Sequence, residues 1–104
     1  MVNKKDILVV SLVVITVIIF VAFLQKNRWY SKSDIAKHPD SNSCWTSING
    51  KIYNLTSLVG THSGGRSNIL LVCGKDGSAV FNKRHGDETE PISDLQTYKI
   101  GILR

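Results

Sequence analysis

The sequence predicts a small α+β domain that follows one membrane-spanning helix. An uncharged, largely apolar run of eighteen residues extends from Ile7 to Leu24. Further along, Asn49-Gly50 separates two short segments rich in aromatic and β-branched residues, which is the pattern of a β-hairpin. The remaining chain contains several short helical patterns and one closing strand, without an internal repeat. Helices and strands are therefore expected to share one small core.

The apolar run is long enough for a transmembrane helix. At about 1.5 Å per residue, eighteen helical residues span ~27 Å, which is close to the hydrocarbon thickness of a bilayer. A core helix is disfavoured, because the rest of the chain is too small to surround a helix that is apolar on all sides. A cleavable signal peptide is the rival, since Lys4 and Lys5 precede the run, but Val21 to Lys26 lacks the paired small residues of a cleavage site. We expect an uncleaved anchor.

The predicted boundaries follow from this anchor. Residues 1–6 form an N-terminal tail, residues 7–24 the transmembrane helix, residues 25–29 a juxtamembrane link and residues 30–104 the folded domain. Within the polar stretch from Asn27 to Tyr30, Trp29 and Tyr30 suit the membrane interface, where an aromatic ring can lie among head groups.

Charge favours a membrane partner over a nucleic acid. The formal net charge is +5, but residues 29–104 hold nine Lys and Arg against seven Asp and Glu, a net +2. Much of the excess therefore flanks the apolar run, where basic residues are attracted to anionic head groups. A nucleic-acid interface would need a basic stripe on the folded part, and the sequence lacks one.

The elements of the domain can be predicted in order. Ser31 and Asp34 fit a capping box at the start of a short helix over Lys32 to Lys37, and Pro39 ends it. Asn49-Gly50 suits a type I′ turn, because both residues accept positive φ. The turn joins Cys44–Ile48 to Lys51–Leu55. The later elements are three short helical segments and a strand, at Ser67 to Cys73, Asp76 to Lys83, Ser93 to Thr97 and Tyr98 to Leu103.

Histidines are the candidates for chemistry, and two of the three lie beside glycines in predicted loops. His62 precedes Ser63-Gly64-Gly65, and His85 precedes Gly86. A single loop histidine is usually only a solvated residue. Two imidazoles flanked by short apolar helices, however, fit the ligand pair of a haem in an apolar slot. Gly64 and Gly65 would allow the sharp turn that starts a helix beside the porphyrin.

These motifs together resemble the haem-binding domain of cytochrome b5, over about Tyr30 to Leu103. The resemblance rests on Ser43-Cys44-Trp45, the run Asn49 to Thr56 and His62-Ser63-Gly64-Gly65, and continues through Gly74 to Gly77, Phe81, His85-Gly86 and Tyr98 to Leu103. It implies a cytochrome b5-like fold, in which a small mixed sheet and short helices form a haem slot.

The resemblance also implies the site. His62 and His85 would be the axial ligands of one haem b, and Gly64 and Gly65 would lie beside it. The implied slot walls are Leu58, Ile69, Phe81 and Leu95, for which ordinary core packing is the alternative. In this family a histidine often ends the first helix. His38 fits that position, so it is expected to contact the helix and not the iron. Thioether links are excluded because Cys-x-x-Cys-His does not occur.

Two histidine ligands complete the coordination of the iron, which favours an electron carrier over an enzyme. The partners of such a carrier would be the bilayer and a membrane-associated reductase or oxidase. A membrane-tethered haem-binding or haem-sensing module is the alternative, and Ser63, where the family usually has proline, favours a looser ligand loop. A zinc site lacks a tight Cys or His pair, and neither cysteine belongs to a hydrolase nucleophile motif.

Cys44 and Cys73 are predicted to form a disulfide, although two buried free thiols would suit the same positions. A bridge closing about 29 residues could contribute roughly 3 to 4 kcal/mol on the chain-entropy model. It would persist only in an oxidising compartment, so we expect the domain to lie outside the cytoplasm of a prokaryotic cell. The count of basic residues on the two sides of the apolar run slightly favours a cytoplasmic domain instead, but whole domains can be translocated despite their charge.

Overall fold

A 23-residue helix, α1 (Lys4–Lys26), precedes a small α+β domain in the computed structural model, which describes residues 2–61, 65–86 and 94–104. The Asn3 side chain caps the helix by accepting a hydrogen bond from the backbone N–H of Asp6 at 3.0 Å. The apolar side chains along α1 are exposed, and no part of its most apolar window is buried inside the protein. By length and composition, α1 could cross a membrane, and it contains the predicted span Ile7 to Leu24.

Asn27 alone separates this helix from the sheet. Its side-chain amide donates to the Phe23 carbonyl at 2.8 Å, and its backbone N–H donates to the Leu24 carbonyl at 3.3 Å. Strand β1 (Arg28–Tyr30) follows at once and pairs in parallel with the last strand, Lys99–Leu103. The sequence predicts a polar link here instead, because a three-residue strand whose partner lies at the other end of the chain leaves no local pattern.

Six strands form a mixed sheet. After β1, the chain contributes β2 (Pro39–Asp40), β3 (Ser43–Ile48), β4 (Lys51–Asn54), β5 (Lys75–Asp76) and β6 (Lys99–Leu103). The order across the sheet is β1-β6-β4-β3-β2, with β5 paired to β3 off this path. The pairs β1–β6 and β3–β5 are parallel and the others antiparallel. The predicted small mixed sheet is thus confirmed.

The short helices lie between these strands. They are α2 (Lys32–Ala36), a 3₁₀ turn (Thr56–Leu58), α3 (Arg66–Leu70), α4 (Ser78–His85) and a helical turn at residues 94–96. The capping box of α2 is confirmed, since Ser31 and Asp34 bond each other's backbone N–H groups. Helix α4 begins two residues later than predicted, because Lys75 and Asp76 are held extended beside β3.

The predicted hairpin is also confirmed. Strands β3 and β4 pair with Ile48 opposite Lys51, which leaves a two-residue turn. Asn49 and Gly50 have φ angles of 51° and 82°, the left-handed conformation that a type I′ turn requires.

The two faces of the sheet are packed differently. One face carries the main core, which consists of Cys44, Ile48, Tyr53, Leu55, Val59, Ile69, Val72, Cys73 and Leu95. The other carries Ile35 of α2, which is 2% exposed, and an aromatic cluster around Trp45. The Tyr30 and His38 rings lie 5.2 Å and 3.7 Å from the Trp45 ring, and His38 Nδ1 is hydrogen-bonded to the Ser43 hydroxyl.

Candidate functional site

A cavity of about 310 Å³ is lined by residues of β3, α3 and α4 and of the segment before β6. Its volume lies at the lower end of the range of small-molecule sites. Most of the lining is apolar: Ile48, Leu58, Ile69, Val72, Val80, Phe81, Leu95 and Tyr98. The polar lining residues are Asn68, Arg84, His85, Asp94 and Thr97. The cavity therefore suits a largely apolar ligand that has a few polar groups.

His85 places an imidazole on the wall of this cavity. It is the last residue of α4, and the helix ends at Gly86, whose φ of 38° favours glycine. The Phe81 ring, one turn earlier on the same helix, lies 5.1 Å from the His85 ring. The imidazole is therefore held against an aromatic wall, where one of its nitrogens can serve as a ligand for iron.

The start of helix α4 is tied to the sheet. Asp76 Oδ1 accepts a hydrogen bond from the backbone N–H of Ser78 at 2.9 Å, and Asp76 Oδ2 accepts one from the Ser47 hydroxyl at 2.7 Å. Burial acts to raise the pKa of Asp76, but the hydrogen bonds from Ser47 and Ser78 outweigh it and leave this pKa below its ordinary value. The hairpin residue Asn49 also donates its backbone N–H to the Ser78 hydroxyl at 2.8 Å.

The other predicted ligand, His62, and the neighbouring Gly64 lie outside the described residues. The flanking residues are described. Leu58, before this segment, lines the cavity, and so does Asn68, after it. Gly65 precedes α3 with a φ of 95°, a backbone conformation that favours glycine. Its role as a neighbour of the cofactor, and that of His62 as a ligand, stay predictions.

The structure brings the described candidates of the slot together. Leu58, Ile69, Phe81, Leu95 and His85 all line the same cavity, whereas Gly65 does not. Sequence reasoning missed Ile48, Val72, Val80, Arg84 and Tyr98. Helical spacing could have identified two of these, because Val80 and Arg84 lie four residues apart and immediately precede Phe81 and His85.

Cys44 and Cys73 are joined by a disulfide, with their Cα atoms 4.7 Å apart. Both are buried, at 0% and 4% exposure. The bond ties the start of β3 to the turn that follows α3, next to the cavity residue Val72. With both thiols used in the disulfide, neither cysteine offers the thiolate that the zinc alternative requires.

Two solved structures share this fold. One is cytochrome b558 of Ectothiorhodospira vacuolata, described as a prokaryotic homologue of cytochrome b5. It matches with a TM-score of 0.67 and 30% identity over 74% of this chain and 99% of that chain. The other is the cytochrome b5 of Ostreococcus tauri virus 2, with a TM-score of 0.63 and 30% identity over 71% of this chain and 94% of that chain.

Much longer proteins contain similar segments. The Delta(5) fatty acid desaturase A of Dictyostelium discoideum is 39% identical over 76 residues, which is 73% of this chain but 16% of the desaturase. Nitrate reductase 2 (NADH) of Arabidopsis thaliana is 36% identical over 76 residues, or 73% of this chain and 8% of the reductase. The sequence model of the cytochrome b5-like haem/steroid binding domain matches residues 31–104. This chain therefore belongs to the cytochrome b5-like family, whose domain is a haem-binding electron-transfer module.

Proposed function

We propose that this protein is a membrane-anchored b-type cytochrome that carries single electrons, with His62 and His85 as the axial ligands of one haem b. The observation that carries the proposal is the imidazole of His85 on the wall of an apolar cavity, in a chain of the cytochrome b5-like family. A haem iron with two imidazole ligands has no open position for oxygen, which favours one-electron transfer.

The lining residues fit a haem. Ile69, Val72, Phe81 and Leu95 offer the apolar contact that a porphyrin ring requires, and His85 offers an imidazole nitrogen. Ile69, Val72 and Leu95 are at most 8% exposed, so they exclude water from the inner part of the site. An apolar surrounding of this kind is one of the properties by which a protein sets a haem potential.

The chain's own contribution is to hold the proposed ligand His85 in place. Helix α4 carries His85 and is hydrogen-bonded to the hairpin turn, and the disulfide ties the turn after α3 to β3. Fixed ligands change little between the two oxidation states, which suits an electron carrier more than a module whose histidine must dissociate.

Replacement of the histidines tests the ligand assignment. We expect His62→Ala and His85→Ala each to abolish the low-spin optical spectrum of the reconstituted full chain in detergent. His38→Ala is the matched control, because His38 contacts Trp45 and Ser43 and does not line the cavity. Retention of the low-spin spectrum in both ligand variants would contradict the bis-histidine site.

Carbon monoxide separates a carrier from a haem sensor. A carrier with two permanent ligands should keep a sharp, unshifted α band when carbon monoxide is added to the reduced protein. A shifted band would show that one ligand dissociates, which would favour the haem-sensing alternative. Acid butanone should extract the haem, because a b-type haem has no covalent link to the protein.

The proposal includes the membrane anchor. We infer that residues 7–24 span the bilayer and that residues 30–104 form the haem domain. Strand β1 extends the sheet of this domain two residues further toward the anchor, to Arg28. The single junction residue, Asn27, would hold the domain beside the bilayer and raise its effective concentration toward membrane partners. The two relatives are a desaturase and a nitrate reductase, whose names describe redox reactions, and this supports a reductase or oxidase as the partner.

A further inference from the structure

We propose that the guanidinium of Arg84 binds a propionate carboxylate of the haem at the mouth of the cavity. This inference rests on the proposed function, since it requires haem in the cavity. It assigns to Arg84 a part in cofactor retention that is separate from iron ligation.

The position of Arg84 on α4 is the first argument. Val80 and Arg84 lie four residues apart and both line the cavity, so they share the helix face that carries the site. Val80 is half-buried, whereas Arg84 is exposed. Arg84 therefore lies at the solvent end of this face, where the polar edge of an amphipathic ligand would emerge.

Charge is the second argument. Arg84 is the only Lys or Arg among the described residues that line the cavity, and Asp94 is the only carboxylate. Among residues 2–61, 65–86 and 94–104, the only ion pair within 4.0 Å joins Lys37 and Asp34. The guanidinium thus has no described carboxylate as an ion-pair partner, including Asp94 in the same cavity.

The chemistry of the ligand is the third argument. A haem is a flat apolar ring with two carboxylates on one edge, and a guanidinium binds a carboxylate through two parallel N–H donors. The negative charge of Asp94 repels those carboxylates, so the propionate edge is expected on the Arg84 side of the mouth. The contact is exposed, and its contribution is therefore that of a solvated ion pair.

Haem transfer to excess apomyoglobin measures the effect in the full chain in detergent micelles. We expect Arg84→Gln to release haem about two- to fivefold faster than wild type, the range of an exposed ion pair. Lys83→Gln is the matched control, because Lys83 is the adjacent cation of α4 and does not line the cavity. Its release rate should equal that of wild type.

Haem dimethyl ester, whose propionates carry no charge, isolates the carboxylate contact. Wild type and Arg84→Gln should release the ester at equal rates, and wild type should lose the ester faster than haem. This last comparison needs no variant, so it can overturn the proposal even if Arg84→Gln does not fold. Equal release of haem by wild type and a folded Arg84→Gln, or equal release of haem and ester by wild type, would overturn the proposal. A wild-type chain that binds no haem would instead contradict the proposed function.

Discussion

Asn49 and Asn82 exchange two side-chain amide hydrogen bonds, of 3.2 Å and 3.0 Å, between the hairpin turn and helix α4. Asn49 thus contributes both its side-chain amide to this pair and the positive φ that the turn requires. Asn82 lies one turn of helix before Gly86 and shares α4 with His85. The turn that sets the register of β3 and β4 therefore also positions the helix that carries a predicted haem ligand.

Removal of this amide pair should loosen α4. We expect Asn82→Ala to lower the free energy of unfolding by about 0.5 to 1.5 kcal/mol, the usual net contribution of hydrogen bonds of this kind, and to speed haem release. Asn49→Gly should have a similar effect, because glycine keeps the turn conformation but lacks the amide. Urea unfolding of both single variants and the double variant checks this. Fully additive effects of the two changes would contradict a shared interaction.

The disulfide should stabilise the domain strongly for its size. We expect the double variant Cys44→Ala/Cys73→Ala to lose roughly 2 to 5 kcal/mol of unfolding free energy, because the unfolded chain regains the freedom of the loop between the two cysteines. Wild type unfolded in the presence of a reductant is the matched control and should resemble the variant. Equal unfolding midpoints for the oxidised wild type and the double variant would contradict this expectation.

The elements predicted well from sequence are those with a local chemical cause. The capping box of Ser31 and Asp34 and the turn at Asn49-Gly50 each lie within four residues, and both are present as predicted. The strands β1 and β5 have two or three residues each, and each depends on a partner far away in the chain. No local pattern distinguishes such strands from loops.

The residues of the site also divide into those that a sequence motif identifies and those that tertiary packing brings to the cavity. Family motifs identified His85 and four apolar wall residues, all of which line the cavity. Asp94 was not identified, because its place at the cavity depends on how the segment before β6 packs, whereas the helical spacing of α4 could have indicated Arg84. The start of α4 also differs from the prediction, which includes the acidic residue Asp76 in the helix, whereas Asp76 belongs to β5 and accepts the hydrogen bond of Ser78.

The capping carboxylate makes helix α2 sensitive to acid. Hydrogen bonds from the backbone and side chain of Ser31 hold the pKa of Asp34 below its ordinary value. The stabilisation from ionised Asp34 is therefore complete above about pH 5 and is lost as the pH falls through the lower folded-state pKa. We expect the difference in Tm between wild type and Asp34→Asn to shrink at acid pH. In a Ser31→Ala background this pH dependence should weaken but persist, because alanine lacks the hydroxyl donor and keeps the backbone N–H that bonds Asp34. An unchanged pH dependence there would contradict the contribution of the hydroxyl.

Gly101 should be essential for the pairing of β1 with β6. A Cβ at this position would lie 2.4 Å from the Arg28 carbonyl oxygen and 2.6 Å from the Tyr30 ring. We expect Gly101→Ala to lower the free energy of unfolding by about 1 to 3 kcal/mol, because β1 must move away. Gly60→Ala is the control, since a Cβ there meets nothing within 4 Å. Urea unfolding measures both, and similar stabilities of the two variants would contradict the close approach of β1.

The orientation of the domain in the membrane can be tested through its disulfide. Because a buried structural disulfide persists in an oxidising compartment, we expect the domain to lie outside the cytoplasm of a prokaryotic cell. Protease added to intact spheroplasts should then digest residues 30–104, while a cytoplasmic marker protein stays intact. Non-reducing mass spectrometry of the native protein should show the Cys44–Cys73 bond. A protected domain with two free thiols would place it in the cytoplasm, as the basic residues after the apolar run would favour.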